Sequence, residues 1–130
     1  MTKDASYDLW WDSENKILRV KMYGDHDEKL AEKFVKEAQV IMDELKAKGI
    51  NVNRALYDLT QAGRPSLKAR LIYAKLGKQM AVKLKDPKIA YVGADLFNVT
   101  VASFIHSLAH YKIQMKFYSS MNEAVDWLKE

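Results

Sequence analysis

The apolar residues of this chain switch repeatedly between a two-residue and a roughly 3.6-residue spacing, and that switching limits the fold more than any other feature. Tyr7, Leu9 and Trp11 share one face, with Asp8 and Trp10 on the other, as a strand requires. Asp12-Ser13-Glu14-Asn15 is a polar turn cluster, after which Ile17 to Tyr23 resumes with alternating residues, so an antiparallel hairpin is predicted. Gly24 ends the second strand. Asp25-x-x-Glu28 has the form of a capping box and starts a helix at Asp25, with Leu30, Phe34, Ala38, Ile41 and Leu45 as its buried stripe and Gly49 as its stop.

The pattern then repeats. Arg54 to Leu59 reads as a buried strand, Thr60 to Pro65 as a loop, and Ser66 opens a helix that runs to about Lys85, where Asp86-Pro87 breaks it. Ile89 to Gly93 is a short apolar strand without alternation, so it is expected to be covered on both faces. A helix from about Asp95 or Asn98 to His110 follows. Ile113, Met115 and Phe117 then mark a last strand, and Ser120-x-x-Glu123 caps a closing helix anchored by Ala124, Trp127 and Leu128. The order β-β-α-β-α-β-α-β-α predicts an α/β fold with a mixed five-stranded sheet, an opening antiparallel hairpin and four main helices.

Length and composition place this pattern in a single domain over residues 1–130. At 130 residues, 48% hydrophobic and 29% charged, the chain can bury one core and is unlike a disordered segment. No apolar run approaches the roughly 20 residues that span a bilayer, and the polar start lacks a secretory signal. The absence of cysteine excludes disulfides and thiol chemistry and fits a cytoplasmic location, at most peripheral to a membrane.

Three stretches carry a family resemblance: Leu56-Tyr57-Asp58-Leu59-Thr60, Lys88-Ile89-Ala90-Tyr91-Val92-Gly93, and Lys116-Phe117-Tyr118 followed by Glu123-Ala124-Val125-Asp126-Trp127-Leu128. With the element order, they resemble the SpoIIAA-like branch of the STAS domain proteins over nearly the whole chain. That resemblance implies a regulatory domain. In its anti-sigma-factor antagonists, a serine at the start of the helix after the Asp-Leu-Ser strand is phosphorylated. Ser66 stands near that place, but its surroundings, Gly63-Arg64-Pro65-Ser66-Leu67-Lys68, lack the preceding Asp and following Gly of the switch motif.

The residues themselves point to one candidate surface. The net charge is only +4, yet Gln61 to Lys85 contains Arg64, Lys68, Arg70, Lys75, Lys78, Lys83 and Lys85 and no acidic residue. Ala69, Tyr73, Leu76 and Met80 form the stripe assigned to the core. Leu67, Leu71, Ile72 and Val82 fall among the lysines instead. Apolar residues between cations suit an anionic membrane surface or an acidic protein partner, and a pocket for an apolar ligand beneath this helix extends the reading. The expected contact residues are Asp58, Thr60, Arg64, Ser66, Lys68, Leu71, Ile72, Lys75 and Lys78, with Ser66 and Thr60 as candidate phosphoacceptors.

The carboxyl edge of the sheet is a second candidate, because ligands of open α/β sheets bind where strands end and helices begin. Gly24-Asp25-His26, Asp58-Leu59-Thr60, Gly93-Ala94-Asp95 and Ser119-Ser120 should gather there. His106 and His110 stand four apart on one helix; without a third ligand they read as a partly exposed pair titrating near neutral pH, and no metal is expected. There is no nucleotide-binding glycine motif, nucleophile elbow or nucleic-acid-binding module. The expectation is therefore a non-catalytic regulatory or ligand-binding domain without a cofactor. Nucleic acid is not the expected partner, and a homodimer would follow from exposure of Trp10 or of the apolar residues on the basic helix.

Overall fold

The computed structural model describes residues 4–108 and 112–130. Five strands and four helices follow the expected order: β1 Ser6–Asp12, β2 Ile17–Gly24, α1 Glu28–Ala47, β3 Arg54–Ala62, α2 Leu67–Lys83, β4 Lys88–Val92, α3 Leu96–Leu108, β5 Gln114–Tyr118 and α4 Met121–Lys129. The strands lie side by side in chain order, β1 antiparallel to β2 and every later pair parallel. The carboxyl ends of β2 through β5 therefore share one edge.

Two layers of helix enclose this sheet. On one face Phe34 of α1, Leu76 and Met80 of α2 and Ala102 of α3 pack against Val20, Ala55, Ile89 and Tyr91. On the other, Ala124, Trp127 and Leu128 of α4 cover Ile17, Leu56, Ala90 and Val92. Strand β4 sends Ile89 and Tyr91 to the first layer and Ala90 and Val92 to the second. This explains its unbroken apolar run, since both faces are covered. Each large side chain so buried contributes on the order of 1.5–3 kcal/mol.

Ser66 and Ser120 cap α2 and α4 as their sequences predict, accepting from the amides of Ala69 (3.1 Å) and Glu123 (3.3 Å). The start of α1 differs. Asp27, not Asp25, is the cap and accepts from the Leu30 amide at 2.9 Å. The Asp25 carboxylate is taken by a distant partner, the Arg64 amide at 2.7 Å. The predicted loop at Thr60 also moves. Strand β3 continues to Ala62, because Gln61 and Ala62 pair with Tyr23 and Gly24 beyond a register irregularity. Within α3, Asp95 is the capping side chain (2.8 Å to the Asn98 amide), so Asn98 lies inside the helix. His110 lies outside the described residues.

Candidate functional site

The segment from β3 to α2 is fastened to the end of β2. Gly63 donates to the Gly24 carbonyl (2.8 Å) and Ser66 to the His26 carbonyl (2.8 Å), with the Asp25–Arg64 bond between them. The contact is close enough to demand glycine: a Cβ on Gly63 would stand 2.0 Å from Asp25 Oδ1 and 2.9 Å from the Gly24 carbonyl carbon. Asn98 secures the same turn from α3, its side-chain Nδ2 donating to the Gly63 carbonyl at 3.2 Å. Thus β2, α2 and α3 meet at one corner of the sheet's carboxyl edge.

Behind that corner, between the sheet and the inner faces of α2 and α3, lies a cavity of about 90 Å³. One water needs roughly 10–15 Å³ by the same kind of measure, so this space is larger than a single water requires. Leu59, Leu76, Met80, Ile89, Val101 and Ile105 give it a mainly apolar wall, and among the described residues no Lys, Arg, Asp or Glu lines it. Tyr57, Tyr91 and Phe117 stack across neighbouring strands at centroid distances of 5.4 and 5.3 Å, and Tyr57 and Tyr91 form part of its floor. Gly77 leaves room on α2, where a Cβ would meet only Ile105 Cγ2 at 3.8 Å.

The polar groups of the lining are mostly paired. His26 Nε2 is 2.9 Å from the Ser6 carbonyl oxygen, which can only accept, so this nitrogen carries the proton. Burial lowers the His26 pKa below its ordinary value, so the ring is neutral and Nδ1 accepts from the Tyr73 hydroxyl at 2.5 Å. His106 is only 2% exposed, and its Nε2 pairs with the Tyr91 hydroxyl at 2.9 Å. Its Nδ1 is buried without a partner among the described residues, and burial pushes its pKa down to about 4. The sequence reading of His106 as half of a partly exposed pair titrating near neutral pH is therefore corrected. Its ring is part of the cavity wall. Among the described residues no cluster of three or more His, Asp or Glu side chains is placed to share a metal ion.

Two lining groups stand apart. The Tyr57 hydroxyl has no hydrogen bond among the described residues, and burial drives its pKa up to about 12, so it stays protonated. The Asn98 amide is oriented by its bond to the Gly63 carbonyl, which needs the NH2 as donor and leaves Oδ1 without a described partner.

The outer side of the same helices has the opposite character. Neither α2 nor α3 contains an acidic residue. Leu67 (65%), Leu71 (51%) and Val82 (80%) are exposed on α2, as are Leu96 and Phe104 on α3. Ile72, grouped with them in the sequence, is half-buried. Lys75 and Lys78 are exposed, while Lys68 reaches Glu28 at 3.6 Å, a surface pair of small value. Arg64 and Arg70 both lie over the Phe97 ring, at 4.7 and 5.1 Å, which ties the start of α2 to α3. Asp58 and Thr60 fall elsewhere. Tyr57 and Leu59 line the cavity, whereas Asp58 faces Lys21 (4.0 Å) and holds the Thr60 hydroxyl at 2.6 Å. The structure thus brings Arg64, Ser66, Lys68, Leu71, Lys75 and Lys78 onto one helix and its leading turn, and sets Asp58 and Thr60 apart.

The arrangement of one sheet, three helices on one face and one on the other is found in solved structures. A protein of the DUF3478 family with a SpoIIAA-like fold, from Shewanella loihica PV-4, superposes with a TM-score of 0.64 at 22% identity, over 98% of each chain. This chain has a SpoIIAA-like fold. A Thermotoga maritima protein provisionally assigned as an anti-sigma factor antagonist superposes with the same TM-score, 0.64, at 15% identity over 95% of each chain. No family model and no curated protein matches the sequence. In this SpoIIAA-like fold the cavity lies under α2, where the lysines and exposed apolar residues sit outside. Among the described residues no helix is long and apolar enough to cross a membrane.

The sequence reading reached the helix surface and missed most of the cavity wall. Tyr57, Tyr73, Tyr91, Asn98 and His106 come from β3, α2, β4 and α3, and no spacing in the chain links them. A signal was available, because tyrosines at core positions of strands and helices carry hydroxyls that require partners or a lined space.

Proposed function

We propose that this chain is a non-catalytic binding domain that takes a small apolar ligand in the cavity beneath α2 and meets an anionic lipid surface with the outer face of the same helix. The observation that carries this reading is the two-sided character of α2: uncharged cavity wall inside, lysines with bare leucine and valine outside. A few polar groups in an apolar wall are the usual make-up of a small-molecule site, and the volume of about 90 Å³ restricts the guest to a small one. Cations near a membrane gain about 1 kcal/mol each from anionic lipid, and exposed apolar side chains add buried area. An acidic protein would meet the same cations, but it gives no reason for a cavity beneath them.

Two experiments test the two halves. Native mass spectrometry of protein purified from its host should reveal a bound small molecule that a cavity-filling Gly77→Leu variant lacks; the same bound mass on both variants would sink the ligand half. In flotation assays, vesicles containing anionic phospholipid should carry the protein and zwitterionic ones should not, with Leu71→Asp and Val82→Asp abolishing the effect. Indifference to lipid charge would remove the membrane half.

A second reading is favoured by one feature. Ser66 is exposed at the N-cap of α2, and Arg70 donates to the adjoining Pro65 carbonyl at 3.0 Å, so a phosphate on Ser66 would meet a helix N-terminus and a nearby guanidinium. Thr60 is the poorer acceptor, since its hydroxyl already donates to the Asp58 carboxylate. Incubation with serine kinases of the host followed by peptide mapping decides it: an unmodified Ser66 ends this version.

A further inference from the structure

Two unpaired groups of the cavity wall, the Tyr57 hydroxyl and Asn98 Oδ1, narrow the ligand class, an inference that rests on the cavity being a ligand site; the third, His106 Nδ1, has no exposed surface for a guest to reach. Among the described residues no charged side chain lines the cavity. The His26–Tyr73 and Tyr91–His106 pairs engage His26 Nδ1, His106 Nε2 and both hydroxyls, and His106 Nδ1 is buried away from any guest. What remains is one donor, the Tyr57 hydroxyl, and one acceptor, Asn98 Oδ1, both on residues of the lining. Asn98 is 6% exposed as a residue, so a guest that fills the cavity would cover most of what remains.

We infer that the site selects an uncharged, mainly apolar molecule bearing a hydroxyl group, whose oxygen accepts from Tyr57 and whose O–H donates to Asn98 Oδ1. The pairing follows from donor and acceptor supply. A hydrocarbon would cover both groups and satisfy neither, which costs on the order of 1–3 kcal/mol for each group cut off from water. A carboxylate would bring a charge into a wall with no cation, against the Asn98 oxygen dipole, and burying an unpaired charge is far more costly. The arginines nearest the site, Arg64 and Arg70, are stacked over Phe97 and are not part of the lining. A ketone can accept from Tyr57 but leaves Asn98 unanswered. Of these four, only the hydroxyl completes both.

The test uses four probes of similar shape: methylcyclopentane, cyclopentanol, cyclopentanone and cyclopentanecarboxylate at neutral pH. Affinities are read by NMR titration of the wild type and of Tyr57→Phe, a change that keeps the ring stack on Tyr91 and whose folding is checked by thermal melting. Cyclopentanol should bind and lose about tenfold in the variant, the equivalent of one hydrogen bond, while methylcyclopentane stays within about twofold. Cyclopentanone should bind more weakly than the alcohol, and the carboxylate should not bind. Tighter binding of the carboxylate than of the alcohol, or equal losses for alcohol and hydrocarbon in Tyr57→Phe, would overturn the hydroxyl assignment and leave the cavity as a site. Binding of none of the four would overturn the assignment together with the ligand-site reading beneath it.

Discussion

Acidification should destabilise the fold through His106 in a defined window. In the folded chain burial lowers its pKa from an ordinary 6.5 to about 4; the unfolded chain keeps the ordinary value. Between these two values the unfolded state binds the proton and the folded state resists it, so stability is fully present above pH 6.5 and falls as the pH drops toward 4. At roughly 1.4 kcal/mol per pH unit, the loss from this one ring is about 3 kcal/mol, a large part of the 5–15 kcal/mol or so that holds a typical domain together. His26, also neutral and buried, acts in the same direction. Urea unfolding at intervals from pH 7 to pH 4 measures the sum. The His106 share comes from comparison with the double variant His106→Phe, Tyr91→Phe, which removes both partners of the 2.9 Å bond and leaves no orphaned hydroxyl. The variant's stability should fall less steeply by about 3 kcal/mol over that window. Equal slopes would mean that His106 is protonated in the fold without penalty, and the argument from burial would be wrong.

Other substitutions test the elements that frame the site. Gly63→Ala should cost about 2–3 kcal/mol in urea unfolding, since its Cβ would stand 2.0 Å from Asp25 Oδ1 and close to the Gly24 backbone. Asp27→Ala should lower stability by about 1 kcal/mol through loss of the α1 cap, whereas removal of Asp25 should act on the 63–66 turn, read by faster amide exchange at Arg64. Trp127→Ala should cost about 3–5 kcal/mol, because that ring is the largest side chain between α4 and the sheet. Leu71→Asp, by contrast, should leave the melting temperature almost unchanged, the side chain being half in solvent already.

The caps illustrate how far local chemistry reaches. Ser66 and Ser120 act within their own first turn, and both cap as their sequences indicate. Asp25 and Asp27 both precede α1, and no rule of spacing chooses between them once a third partner exists. That partner is the Arg64 amide, brought up by the pairing of β2 with β3. The same pairing draws Thr60 to Ala62 into β3. The turn-forming composition of that stretch is overridden by the hydrogen bonds its neighbour offers, as backbone groups in a sheet must be satisfied.

By itself, the sequence determined the elements, their order, the mixed sheet and the greasy, cationic outer face of α2, because periodicity, caps and charge act over a few residues along one chain direction. Tertiary structure alone decided that Tyr57, Asn98 and His106 share one cavity wall while Asp58 and Thr60 stand apart. A cavity is what packing between α2, α3 and the sheet leaves unfilled. Its volume and its unpaired hydrogen-bonding groups depend on side chains that meet only once the strands have crossed over and closed.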